Sequence, residues 1–206
     1  NELNIKKKKI LYSYLASDLL LDSNKKNTLN NDLLSVLGIT FKCSFHENGN
    51  KKAKIGDLSG AIEDFTNSIV AHPNQPLSYF DRALAKKLSK DYKGAIEDYS
   101  KVLELSKKIN CKDNKWSEFI YLERGFCRFL VADDKGSIND YTKAIKYNPE
   151  SYIAYGRRGI VNDFIGNFQE AILDFSKGLD FYIENEKYEL NKINLYEKRG
   201  MSKFAL

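Results

Sequence analysis

The chain has 206 residues, 42% hydrophobic, 13% aromatic and 30% charged, with a net charge of +5. A sequence this rich in Tyr, Phe, Leu and Ile buries enough apolar surface to offset its ordering entropy, which excludes a disordered chain. Only 3 Pro and 12 Gly exclude collagen-like and proline-rich classes, and no apolar run reaches the ~18 residues a membrane-spanning helix needs. The charge excess is local. Residues 1–60 carry ten Lys against six acids, with Lys6, Lys7, Lys8 and Lys9 as the densest run, whereas residues 61–206 stand at +1. A nearly neutral body argues against nucleic acid as the partner. Cys43, Cys111 and Cys127 are odd in number, form no CxxC, and share the chain with only His46 and His72. No metal, cofactor or disulfide framework is therefore expected, and reduced cysteines point to a cytoplasmic setting. The chain opens at Asn1 without a signal-type apolar run, as a processed or excised fragment would.

In chain order, Ile10, Leu11, Tyr14, Leu15 and Leu19 predict an amphipathic helix over about 7–21. A polar loop comes next at 22–27, then a short helix over 29–37 stopped by Gly38. Residues 1–40 are expected to cap the remainder of the chain; the alternative is a tail that enters a groove and competes with ligand.

From residue 41 the sequence repeats. Gly60-Ala-Ile-Glu-Asp-Phe65, Gly94-Ala-Ile-Glu-Asp-Tyr99, Gly136-Ser-Ile-Asn-Asp-Tyr141 and Glu170-Ala-Ile-Leu-Asp-Phe175 align at spacings of 34, 42 and 34. Twelve positions before the second residue of each stands a small one: Gly49, Ala83, Gly125 or Gly159. Four positions earlier still stands an aromatic: Phe45, Tyr79, Tyr121 or Tyr155. Tyr196 and Gly200 begin a fifth copy, and Pro73 and Pro149 close the first and third. Gly56-Asp57 and Gly166-Asn167 read as turns between paired helices. Small residues at 49, 83, 125 and 159, and at 61, 95, 137 and 171, let two helices approach closely. Ile62, Ile96, Ile138 and Ile172 share one helical face with Phe65, Tyr99, Tyr141 and Phe175.

This pattern resembles the tetratricopeptide repeat, a 34-residue helix–turn–helix unit. The resemblance covers about 42–206. It implies an all-α, right-handed superhelical solenoid of four complete repeats (about 42–75, 76–117, 118–151 and 152–192) and a partial fifth (193–206). Copies two and four carry extra residues at 107–115 and 184–192.

A charged slot repeats as well. Asp64, Asp98, Asp140 and Asp174 alternate with Arg82, Arg124, Arg158 and Arg199. Pairing each Asp with the Arg of the next copy predicts the inter-repeat bridges Asp64–Arg82, Asp98–Arg124, Asp140–Arg158 and Asp174–Arg199. No phosphate-binding glycine loop or nucleophile elbow is present, Asp133-Asp134 falls in a predicted turn, and His46 has no nucleophile beside it, so a non-catalytic protein is expected.

In tetratricopeptide arrays the first helices line a concave face. The resemblance places Asn50, Phe80, Leu84, Phe119, Leu122, Phe126, Phe129, Arg157, Ile160 and Phe164 there as partner-binding residues. The third first-helix is apolar almost all round, so its groove side is either covered internally or receives an apolar peptide or helix. Asp81 and Glu123 against Arg157 and Lys198 suggest a charge gradient that orients a ligand. Co-chaperone members grip chaperone C-terminal carboxylates with a Lys/Asn/Arg clamp. Asn50 matches that clamp, but His46, Asp81, Phe119 and Glu123 replace its other members, so no such clamp is expected. The expected function is capture of a partner's peptide or helix in the concave groove. The alternative is a structural scaffold that self-associates through residues 196–206, where Tyr196, Met201, Phe204 and Leu206 would lack a second helix.

Overall fold

The structure, a computed structural model, describes residues 43–108, 114–182 and 189–204. The expected cap at 1–40, the centre of each insertion and Leu206 lie outside them. Nine helices occupy the described residues: α1 (Ser44–Lys54), α2 (Leu58–Ala71), α3 (Pro76–Leu88), α4 (Tyr92–Lys108), α5 (Asn114–Leu130), α6 (Asp134–Tyr147), α7 (Tyr152–Phe164), α8 (Phe168–Tyr182) and α9 (Glu189–Phe204). Each packs chiefly on its neighbours in sequence, in antiparallel pairs, so the core is a line of small interfaces. The insertion of copy two is partly helical: α4 has 17 residues where the second helices α2 and α6 have 14, and α5 has 17 where the first helices α3 and α7 have 13.

The repeat slots explain why the pairs close. At Gly49, Gly125 and Gly159 an added Cβ would stand 2.7, 2.9 and 2.8 Å from the rings of Phe65, Tyr141 and Phe175. The aromatic of each of these second helices thus lies against the glycine sixteen positions before it. The second helices begin at acidic caps: Asp57, Asp91 and Asp133 accept from the backbone N–H of Gly60, Gly94 and Gly136 at 2.9–3.0 Å. Asp133 of the predicted turn is therefore a helix cap.

The turn within each pair needs one left-handed residue. Gly56 and Gly166 supply it at φ 84° and 86°, but Lys90 and Ala132 hold the same slot at 68° and 65°. A side chain in that region is strained against its own carbonyl. Replacing Ala132 with Gly is expected to raise the unfolding free energy by about 0.5–1 kcal/mol, read as a shifted urea midpoint at unchanged slope.

The Asp/Arg slot departs from the sequence expectation. Each Arg pairs within its own repeat: Arg82 with Asp98 (2.6 and 2.9 Å), Arg124 with Asp140 (2.7 and 2.9 Å) and Arg158 with Asp174 (2.7 and 2.9 Å). All three are bidentate and run sixteen residues forward. The physical reason is the ring-on-glycine contact. Arg precedes the small residue and Asp precedes the aromatic, so seating the ring brings the two charges together. The third guanidinium nitrogen does cross to the preceding repeat, where it donates to Thr66 (3.1 Å), Ser100 (2.9 Å) or Thr142 (3.0 Å). Each guanidinium also lies beside the Tyr three residues earlier, at 5.5–5.7 Å. A second donor reaches each Asp from four residues beyond the Arg slot: Lys86 (2.9 Å), Arg128 (3.1 Å) and Asn162 (3.3 Å). In copy one, where Asn48 replaces the Arg, Asp64 has Lys52 at 2.8 Å.

Candidate functional site

Side chains join the first helices of successive pairs, α1, α3, α5 and α7, and most of them belong to the set expected on the concave face, Lys87 and Trp116 being additions. His46 of α1 lies 2.9 Å from Asp81 of α3, and Asn50 approaches the same imidazole at 3.4 Å. Lys87 of α3 donates to Glu123 of α5, and Arg157 of α7 stands 3.6 Å from the other oxygen of Glu123. Arg157 also donates to the Leu122 carbonyl (3.3 Å) and covers the Phe126 ring at 5.8 Å. Aromatic contacts complete the line. Phe80 meets Trp116 and Phe119 at 4.7 and 5.9 Å, and Phe129 meets Phe164 edge-on at 5.4 Å.

The line is a floor more than a rim. Phe80, Leu122, Phe126, Phe129 and Arg157 are buried, while Asn50, Leu84, Phe119, Ile160 and Phe164 are half-buried. Residues 120–127 of α5 are buried throughout, as its all-round apolar pattern requires. The expected charge gradient is corrected here. Asp81 is bound by His46 of the preceding first helix, and Glu123 is bound by Lys87 of the preceding and Arg157 of the following one, so these groups join repeats.

Burial alone would raise the carboxyl pKa of Glu123. Lys87 and Arg157 outweigh it and hold the carboxyl below its usual value, so it is an anion at neutral pH. The thiol of Cys127, one turn on, is pushed up to about 12 by burial and by that anion, which denies it nucleophile character. Tyr99, buried against the same acid, is raised well above its ordinary value. The sequence reading singled out Glu123 and Arg157 but missed Lys87 and the connections among the three. The one available signal was the placement of opposite charges 34–36 residues apart at neighbouring first-helix offsets.

No family model matches the sequence. Human tetratricopeptide repeat protein 36 is 43% identical over 54 residues, which is 26% of this chain and 29% of that protein; the chain thus matches under a third of the length of its curated relatives. Among solved structures, a crystal structure of MamA protein superposes with a TM-score of 0.62 at 23% identity, covering 78% of this chain and 84% of that one. The chain folds as a tetratricopeptide-repeat protein. The first such domain of Spaghetti (RPAP3), bound to the HSP90 peptide SRMEEVD, superposes with a TM-score of 0.51 at 24% identity, over 59% of this chain and 90% of that one. Among the described residues, no helix of this tetratricopeptide-repeat protein is long and apolar enough to cross a membrane.

Proposed function

We propose that this tetratricopeptide-repeat protein is a non-catalytic interaction module that takes an apolar peptide or helix of a partner protein along the line of first helices. The observation that carries this reading is the chemistry of that line. Half-buried apolar side chains (Leu84, Phe119, Ile160 and Phe164) lie on the same first helices as polar groups that already bind one another, Asp81 to His46 and Glu123 to both Lys87 and Arg157. Such a surface rewards burial of apolar area. The buried, free thiols of Cys43 and Cys127 accord with a reducing, cytoplasmic setting.

Selection of 16-residue peptides from a display library against the intact chain tests the reading. Selected peptides should be rich in Leu, Phe and Trp. They should lose at least about tenfold in affinity to Ile160→Glu and Leu84→Glu variants of unchanged helicity. Binders indifferent to both variants would place the interface elsewhere.

The acidic-tail ligand of the RPAP3 domain is not expected to bind here. His46 and Glu123 occupy two basic clamp positions, and Asp81 adds a carboxylate where the clamp needs a donor. Titration of labelled SRMEEVD should show no saturation up to about 1 mM, a free energy weaker than about −4 kcal/mol. Micromolar binding would contradict this.

A further inference from the structure

We infer that the turn edge of the first two repeats docks, shallowly and reversibly, on the surface of a lipid bilayer that carries acidic headgroups. Six residues form this edge: Ile55 and Leu88 at the ends of α1 and α3, and Lys51, Lys54, Lys90 and Lys93 around them. The two first helices are joined side by side through His46 and Asp81, so their ends present one edge. Ile55 is 82% exposed and Leu88 64%, and all four lysines are exposed.

The charge there is local and uncommitted. Residues 51–59 and 85–93 hold seven Lys against two Asp. The equivalent 127–135 hold two bases against two acids, and 161–169 hold one acid and no base. Three of the seven lysines turn inward, Lys52 to Asp64, Lys86 to Asp98 and Lys87 to Glu123. The two acids, Asp57 and Asp91, cap α2 and α4 through the N–H groups of Gly60 and Gly94. That leaves four lysines that meet no acid among the described residues.

Two of the four work against the fold. Lys90 holds at φ 68° the left-handed turn position that Gly56 and Gly166 fill in copies one and four. Lys93 lies in the first turn of α4, at the positive end of the helix dipole. Ile55 and Leu88 bury little of their area. These side chains do little for stability, and what they share is a surface of apolar tips ringed by cations.

Shape and chemistry together select the partner. Tips that project from helix ends have no walls, unlike the half-buried side chains of the concave face, so they cannot enclose a peptide. A plane touches several such tips at once. Apolar tips enter the headgroup region of a bilayer while lysines beside them meet its acidic lipids. The occupant is therefore a membrane surface rather than an acidic segment of another protein.

Cosedimentation of the intact chain with phosphatidylcholine vesicles containing about 30 mol% phosphatidylserine tests this. Pure phosphatidylcholine vesicles and soluble polyglutamate are the comparisons. Binding should be saturable on the mixed vesicles and at least about tenfold weaker on the pure ones. Lys90→Gly/Lys93→Glu and Ile55→Ser/Leu88→Ser should each weaken it about tenfold or more. Lys107→Glu/Lys146→Glu removes more charge from the far ends of α4 and α6, roughly 20 Å along the helix and beyond the screening length, and should change binding less than about twofold. Relieved turn strain and an acid in the first helical turn both favour the fold, so Lys90→Gly/Lys93→Glu should keep or raise the parent's urea midpoint. In an Ile55→Trp chain, lipids brominated on their acyl chains should quench the introduced tryptophan, whereas Trp116 is buried and stays bright.

No binding to the mixed vesicles, or an introduced tryptophan that is not quenched on them, would overturn the inference. Binding unchanged in both tip variants would overturn it too and move the contact elsewhere. Polyglutamate bound through the same lysines, with vesicles ignored, would make the partner an acidic protein instead. The Ile160→Glu variant should bind the mixed vesicles as the parent does, which separates failure here from failure of the concave-face reading.

Discussion

Replacing Asp140 with alanine is expected to lower the unfolding free energy by about 3–5 kcal/mol, the cost of removing one partner from a buried ion pair. Asp140 is fully buried and receives two bonds from Arg124 and one contact from Arg128. Its loss leaves the buried guanidinium of Arg124 with the Ser100 hydroxyl and an aromatic face but no carboxylate. Asp64→Ala is the built-in comparison. Among the described residues its ionic partner is Lys52, whose side chain is 38% exposed and reaches water when the carboxylate is gone, so a cost nearer 1 kcal/mol is expected. Solenoid repeats are coupled only to neighbours, so the damage should stay local. Hydrogen exchange should show α5 and α6 losing protection while α1 and α2 keep theirs. Equal costs at the two positions would mean that the bidentate Arg contributes nothing beyond the lysine.

The Glu123→Leu variant is expected to be as damaging, again about 3–5 kcal/mol, because Lys87 and Arg157 are then buried without their counter-charge. The informative partner is the triple variant Lys87→Met/Glu123→Leu/Arg157→Met, which should recover most or all of the loss, since desolvating three charged groups costs roughly what their attraction returns. The pH dependence has a definite sign. The folded-state pKa of Glu123 lies below the ordinary 4.5, so the folded protein holds this site ionised where the unfolded chain takes up a proton. Its contribution is complete above about pH 4.5 and is lost as pH falls through the lowered folded value. Urea midpoints measured from pH 7 to pH 3 should therefore decline more steeply in the parent than in the triple variant. Parallel declines would show that other carboxylates govern acid unfolding.

These two networks mark how far the sequence could be read. The sixteen-residue step from Gly159 to Phe175 was visible as spacing, and so were the turns at Gly56-Asp57, Asp133-Asp134 and Gly166-Asn167, whereas the capping bonds of Asp57 and Asp133 were not. These are local or repeated features, and four aligned copies average out the noise of any one. The partner of each Arg was ambiguous, because an Asp lies within one repeat length on either side. The ring-on-glycine contact resolves it, and the same offset of sixteen, applied to Arg82 and Asp98, would have predicted the observed pairs.

The amino-acid sequence by itself determined that the chain is all-α, that its helices come in pairs, and which faces are apolar, since period, small residues and turn chemistry are properties of single helices and short connections. The tertiary structure alone decided that Asp81, Glu123 and Arg157 join neighbouring repeats, and that Phe126 and Phe129 are buried while Leu84 and Ile160 keep surface. Each of these depends on which side chain of another helix, some 35 residues away, comes within bonding distance. That distance is set by the angle and height at which whole helices stack, which no residue pattern along one helix specifies.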